Sequence, residues 1–251
     1  MARIELRDVT VYVQDGLSGS ALLTANGTAN DTTININTVV LNTTTTNLVP
    51  IGGRFYLPGE TTNTVHTVTA RNPAAAGPTT CVTFTPALGA GSYNSGNSEN
   101  AVTFINQRLE VKIGEGNLTW TEAKEYEYLR DRGNLDTVKE GDEQPVEMSL
   151  EFVYEYIKSE SGTSITPVDA LKNVGYASEW VSTSADLCEP YCIDILAKHC
   201  VPCGTDEDED VLFNDFRWEG LDYDLQAATI SVSGRCNVSD PTVTRSTDAE
   251  C

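Results

Sequence analysis

The stretch PVEMSLEFVYEYI, residues 145–157, constrains the fold more than any other part of the chain. Val146, Met148, Leu150, Phe152, Tyr154 and Tyr156 fall on one face, and Glu147, Ser149, Glu151, Val153 and Glu155 on the other. A period of two sustained this long belongs to a strand with one buried and one wet face, which requires a sheet and a core beneath it. AATISVSGRCNV near the end reads as a second such strand. ARIELRDVTVYVQ at the start reads as a third, with a phase shift around Asp8 that suits a bulge.

Between Asn26 and Asn106 the composition changes. Threonine and asparagine dominate, and charged residues almost vanish. TTININTVV, LVPIGGRFYLPGE, NTVHTVTARNP and TTCVTFTPAL read as short strands joined by Gly/Pro turns, and GAGSYNSGNSEN as a linker. His66 is expected on an exposed strand face. AVTFINQRLEVKIGEG and NLTWTEAKEYEYL follow as two strands separated by a Gly-rich turn. TPVDALKNVG reads as a short helix, with Thr166 as its cap, Pro167 at the first position and Gly175 past its end. CIDILAKHC suits either a strand or a short helix. The expected fold is therefore mainly β. It is an antiparallel β-sandwich or half-barrel with one short flanking helix, built from 1–25 and 107–251. A small β-barrel or sandwich, 26–106, is inserted into it.

Charge and motifs narrow the function. Acids outnumber bases 37 to 16, for a net charge of -21, which opposes any grip on nucleic acid. A wall of that sign instead lets a polyanion pass without sticking. No apolar run approaches the roughly 20 residues that span a bilayer, so no membrane anchor is expected. MARIELRDVTVYV has no apolar h-region, so no export signal is expected there.

No nucleotide-binding glycine loop is present, and the carboxylate pairs lie in wet, charged sequence, so neither an enzyme nor a cofactor is expected. TDEDEDV, 205–211, lacks the spacing of a hand-type calcium loop and reads as a solvated rim. Cys188, Cys192, Cys200 and Cys203 are weak candidates for zinc, because their first spacing is x3 and the intervening loop is short. Disulfides, with Cys236 as a further partner, are an alternative, and free or buried thiols are the simplest reading. Trp120, Trp180 and Trp218 are the aromatics that a carbohydrate-binding groove would use, although Trp120 and Trp218 suit a core or an interface better.

RDRGNLDTVKEGDEQP, 130–145, mixes Arg130, Arg132 and Lys139 with Asp131, Asp136, Glu140, Asp142 and Glu143. It reads as a long loop. Either it is plain solvated surface, or its interspersed charges form an arm that meets another copy of the chain.

Three segments carry a family resemblance: MARIELRDVTVYVQDG, then INQRLEVKIGEGNLTWTEAKEYEYLRDRGNLDTVKEGDEQPVEMSLEFVYEYI, then FRWEGLDYDLQAATISVSGRCN. Together they resemble the major tail tube protein of long-tailed, siphovirus-like bacteriophages. The inserted segment is similar to small β modules appended to virion proteins. The resemblance implies a structural virion protein, made and assembled in the host cytoplasm. It implies six-fold rings that stack into a hollow tube, with other tail proteins at both ends and double-stranded DNA passing through non-specifically. It also implies that 130–145 is the arm between rings, that Pro167–Asn173 is the flanking helix, and that the insertion decorates the outside. An acidic lumen would draw on Glu147, Glu151 and Glu155, or on Glu110 and Glu115. The alternatives are a tail terminator, a baseplate ring, a capsid decoration protein or a carbohydrate-binding β module.

Overall fold

A computed structural model of the chain describes residues 9–41, 44–46, 49–62, 64–73, 79–91, 93, 101–113, 117–153, 165–184, 186, 188–199 and 208–246. In chain order the strands are β1 (Val9–Gln14), β2 (Gly19–Leu23), β3 (Thr33–Leu41), β4 (Thr44–Thr46), β5 (Arg54–Tyr56), β6 (His66–Pro73), β7 (Thr79–Thr85), β8 (Val102–Ile105) and β9 (Arg108–Val111). They continue as β10 (Leu118–Thr121), β11 (Lys124–Asp131), β12 (Asn134–Glu143), β13 (Glu147–Val153), β14 (Ile193–His199), β15 (Asp208–Asp224), β16 (Thr229–Cys236) and β17 (Thr242–Ser246). One helix, α1 (Pro167–Lys172), lies between β13 and β14. The chain is thus mainly β with antiparallel sheets, one short helix and a small closed barrel.

The chain divides into two units. The first comprises 1–14, 109–172 and 191–251, and the second 15–108 and 173–190. These limits differ from the boundaries at 26 and 106 expected from composition. Residues 15–25 belong with the insertion, and so does the distant segment 173–190.

In the first unit one sheet runs β10–β13–β16–β15–β14–β1–β9, with β17 added beside β15. The alternation of β13 holds through its described residues: Val146, Met148, Leu150 and Phe152 are buried, while Glu147 and Ser149 are exposed. Tyr154, Glu155 and Tyr156 lie outside the described residues. The ring of Trp120 on β10 meets Phe213 on β15 edge-on, with centroids 5.2 Å apart. In a flat sheet those strands would stand about 14 Å apart, so the sheet must fold over on itself and enclose its core. CIDILAKHC resolves as a strand, β14, with Ile193 and Ile195 buried.

The longest strand, β15, is the one the sequence conceals. On the face of Phe213 and Phe216 its apolar residues fall at Val211 and Phe213, then Phe216 and Trp218, then Leu221 and Tyr223. Each pair keeps period two, but each is offset from the last by one residue. The register shifts opposite Ile193–Ile195 and again between Trp218 and Gly220. Asp215 takes a positive φ of 54 at the first shift. Two bulges therefore keep one face of a 17-residue strand inward. Asp208–Val211, expected in a solvated acidic rim, are instead the half-buried start of this strand.

Gly234 sits in register between Met148 of β13 and Trp218 of β15. A Cβ there would overlap the Arg217 carbonyl oxygen and approach the Phe216 ring at 2.7 Å. Gly234→Ala is expected to destabilise the first unit by about 1–3 kcal/mol, read as a lowered urea midpoint with an unchanged slope.

Helix α1 is capped as its sequence requires. Thr166 Oγ1 accepts the Asp169 N–H at 3.1 Å, and Asp169 Oδ2 accepts the Thr166 N–H at 3.2 Å. At its other end Lys172 holds its ammonium 5.9 Å from the Trp218 ring and 5.7 Å from that of Tyr223, and donates to the Tyr223 hydroxyl.

In the second unit β2–β8–β5–β6–β7–β3 closes into a six-stranded barrel, because β2 pairs with both β8 and β3. Closure removes free edges. Leu23, Ile34, Ile36, Phe55, Leu57, Val68, Val82, Phe84, Val102 and Phe104 fill the interior. Asp15 is buried where the chain enters this unit. Its Oδ1 accepts the N–H groups of Gln107 and Leu17 at 2.6 and 3.2 Å. Its Oδ2 accepts Gln107 Nε2 at 3.1 Å and the Val181 N–H at 3.3 Å. One carboxylate thus joins the entry of the chain, its exit and the segment 173–190. Glu179 fixes the same segment through a two-pronged pair with Arg71, at 2.9 and 3.0 Å.

Candidate assembly surface

The charged stretch expected as a loop is a β-hairpin. β11 and β12 pair only with each other among the described strands, and the turn is Arg132–Gly133, with φ values of 49 and 88. Two positive φ angles define the turn that matches strand twist, and glycine supplies the second at no steric cost. Arg130 and Asp131 end β11, Arg132 forms the turn, and Asp136, Lys139, Glu140, Asp142 and Glu143 lie along β12. The strands reach about 30 Å at the usual rise per residue.

No residue of either hairpin strand is buried, and only Leu129 is even half-buried. On one face Tyr126 stands opposite Glu140 and Tyr128 opposite Val138. Leu135 follows opposite Arg130, after a register shift. Tyr128 is 59% exposed, Val138 53% and Leu135 67%. The expected charges were legible in sequence, but this apolar row was not. It is interrupted by charges, and only the cross-strand register brings it together.

The second feature is the wet face of β10, β13, β16 and β15. Its rows run Thr121–Glu147–Arg235–Arg217, then Thr119–Ser149–Ser233–Gly220, then Glu151–Ser231–Asp222, then Val153–Thr229–Asp224. Arg235 pairs with Glu147 at 3.0 Å and with Glu219 at 3.6 Å. Glu151, Asp222 and Asp224 add further negative charge, so the face carries hydroxyls, acids and the two arginines Arg217 and Arg235, with a net negative balance. Of the expected lumen acids, Glu147 and Glu151 share this face. Glu110 lies on β9, at the opposite end of the strand order, and Glu115 and Glu155 lie outside the described residues.

Other expectations resolve differently. His66 is completely buried inside the barrel, not exposed. Val65 and Val68 are three residues apart and cannot share a strand face; Val68 points inward and His66 goes with it. Tyr93, expected in a linker, is buried and donates its hydroxyl to the Gly89 carbonyl. Trp180 is buried, so it cannot line a carbohydrate groove, and its indole N–H has no partner among the described residues. Trp120 and Trp218 align in register with Met148, on the apolar side of the sheet.

Cys188 is exposed, Cys81 half-buried and Cys236 buried, all three as free thiols, and the buried Cys192 donates its Sγ–H to Asp215 Oδ1 at 3.4 Å. Burial, helped by Asp194 and Asp215, pushes the Cys236 thiol up to about 12. Among the described residues no group of three metal-ligating side chains could hold an ion, and Cys200 and Cys203 lie outside them. Among the described residues no helix is long and apolar enough to cross a membrane.

Comparison of the chain with protein families, with curated proteins and with solved structures finds no match.

Proposed function

We propose that the chain is a structural subunit that assembles with copies of itself into stacked rings, forming the hollow tail tube of a long-tailed bacteriophage. The hairpin is the observation that carries this reading. A two-stranded hairpin is marginal in water, and this one displays tyrosine, leucine and valine with nothing buried beneath them. A second protein surface would complete it. Its interspersed charges suit a copy of the same chain, because opposite signs then meet under symmetry. Among the described strands β10 pairs on one side alone, and ring closure would satisfy its outer edge.

The sheet face of serine, threonine and acids that outnumber its two arginines supports the second half of the proposal. A lumen for DNA should be wet, hydroxylated and negative, so that phosphates are neither bound nor slowed. In this reading Glu147, Glu151 and Asp222 line the channel.

Sedimentation velocity over a range of protein and salt concentrations tests the proposal. Moderate salt screens the repulsion between copies that each carry -21, so assembly should increase from low to moderate ionic strength. A single ring species that never grows with concentration would point instead to a terminator or baseplate part. A monomer at every concentration would remove the proposal.

A further inference from the structure

Lys172 marks a second exposed apolar surface in the first unit. Its ammonium stands 5.9 Å from the Trp218 ring and 5.7 Å from the Tyr223 ring, and among the described residues it meets no carboxylate. Trp218 and Tyr223 are themselves exposed, and Leu225, in the turn that follows β15, is 80% exposed. The chain carries a net charge of -21, so a cation without a carboxylate is unexpected there. Set over two exposed rings and beside an exposed leucine, it marks a surface suited to a partner that brings both apolar side chains and an acid.

The β11–β12 hairpin has that composition. Its exposed face carries Tyr126, Tyr128 and Val138, with Glu140 directly opposite Tyr126. Glu140 forms no ion pair among the described residues. The register also sets the two surfaces apart. β11 follows β10 and β12 leads into β13, so the hairpin leaves the sheet from the row that holds Thr121 and Glu147. Leu225 comes directly after Asp224, in the row Val153–Thr229–Asp224 at the other end. From Glu147 to Val153 a strand runs about 20 Å. Both surfaces are exposed in the single chain, so neither covers the other. A contact of hairpin with hairpin would leave Lys172, Tyr223 and Leu225 uncovered.

We propose that the hairpin of one copy docks on the Lys172–Tyr223–Leu225 surface of the next, with Glu140 against Lys172. The inference rests on the self-assembly proposed above and names the surface that receives the hairpin. Opposite charges fix the register of the contact, and the aromatic and aliphatic side chains supply its affinity. The contact is head to tail, because its two halves are different places on one chain. Each copy that docks still offers one hairpin and one receiving surface, so growth continues and does not end at a dimer. The acidic face of Glu147, Glu151 and Asp222 takes no part and stays open.

Mixing two full-length variants in sedimentation velocity tests the contact. One lacks the hairpin row, through Tyr126→Ser, Tyr128→Ser and Val138→Ser. The other lacks the receiving surface, through Lys172→Glu and Leu225→Ser, both at exposed side chains. Each alone should associate about a hundredfold more weakly than the wild type. Mixed, each supplies what the other has lost, so one-to-one pairs should form and grow no further. If the Lys172→Glu, Leu225→Ser chain assembles as the wild type does, the contact is overturned and self-assembly stands. A wild type that stays monomeric removes both. Hydroxyl-radical footprinting of the assembled wild type needs no variant. Tyr128 and Tyr223 should both be oxidised several-fold less than in the monomer. A Tyr223 that gains no protection would overturn the proposal even if a variant failed to fold.

Discussion

Replacing Tyr126, Tyr128 and Val138 together with serine is expected to leave the chain folded and to abolish its assembly. All three lie on one face of the β11–β12 hairpin and are about half exposed or more in the single chain. Removing them costs the isolated molecule little packing, so its unfolding free energy should move by less than about 0.5 kcal/mol. In a ring or tube the same side chains would be covered. Fully burying one such residue is worth about 1.5–3 kcal/mol. Three of them, already partly shielded, should contribute about 5 kcal/mol per contact, or more than a thousandfold in association. Sedimentation velocity separates the outcomes: a folded monomer supports the hairpin as the assembling arm. Undiminished assembly would move the contact elsewhere.

Asp15→Ala is expected to have the largest effect on stability. The substitution orphans four donors, from Leu17, Val181 and both N–H groups of Gln107, at the place where three stretches of chain meet. Each buried orphan costs about 1–3 kcal/mol, with some relief from relaxation, so a loss of about 4 kcal/mol is expected at pH 5. The loss should shrink at higher pH. Burial pushes the Asp15 carboxyl up to about 6, outweighing the hydrogen bonds that pull it down. A carboxyl that binds its proton more tightly when folded contributes stability that is complete below 3.8 and falls away as pH rises through about 6. From pH 5 to pH 7 the wild type should lose about 1.4 kcal/mol from this one group, while Asp15→Ala has nothing there to lose. Hydrogen exchange of barrel amides at the two pH values measures both numbers. A deficit that grows with pH would contradict the burial argument.

What the sequence revealed, and what it hid, follows from how each element meets solvent. β13 was legible because its ladder is regular and one face is buried throughout its described length. α1 was legible because its cap is local, set by Thr166 and Asp169. β15 was not, because its two bulges break the alternation on which such a reading depends. The hairpin read as a loop because neither face is buried, which leaves no hydrophobic period to find. The segment 173–190 joins the barrel through Glu179 and Val181, whose partners lie more than 70 residues away. Asp15 sat in what looked like an ordinary turn, DGLSG, and only tertiary closure makes it a buried acceptor of four hydrogen bonds. Period two alone puts Glu147 and Glu151 on the face opposite the buried one, whereas the serine and threonine rows beside them need the strand order.

Negative-stain electron microscopy of the purified chain, concentrated at moderate salt, tests the proposed assembly most directly. Hollow tubes with a regular axial repeat, or stacked rings, are expected, together with their loss when Tyr126, Tyr128 and Val138 are all serine. Dispersed single molecules at high concentration, with salt present to screen the charge, would contradict it.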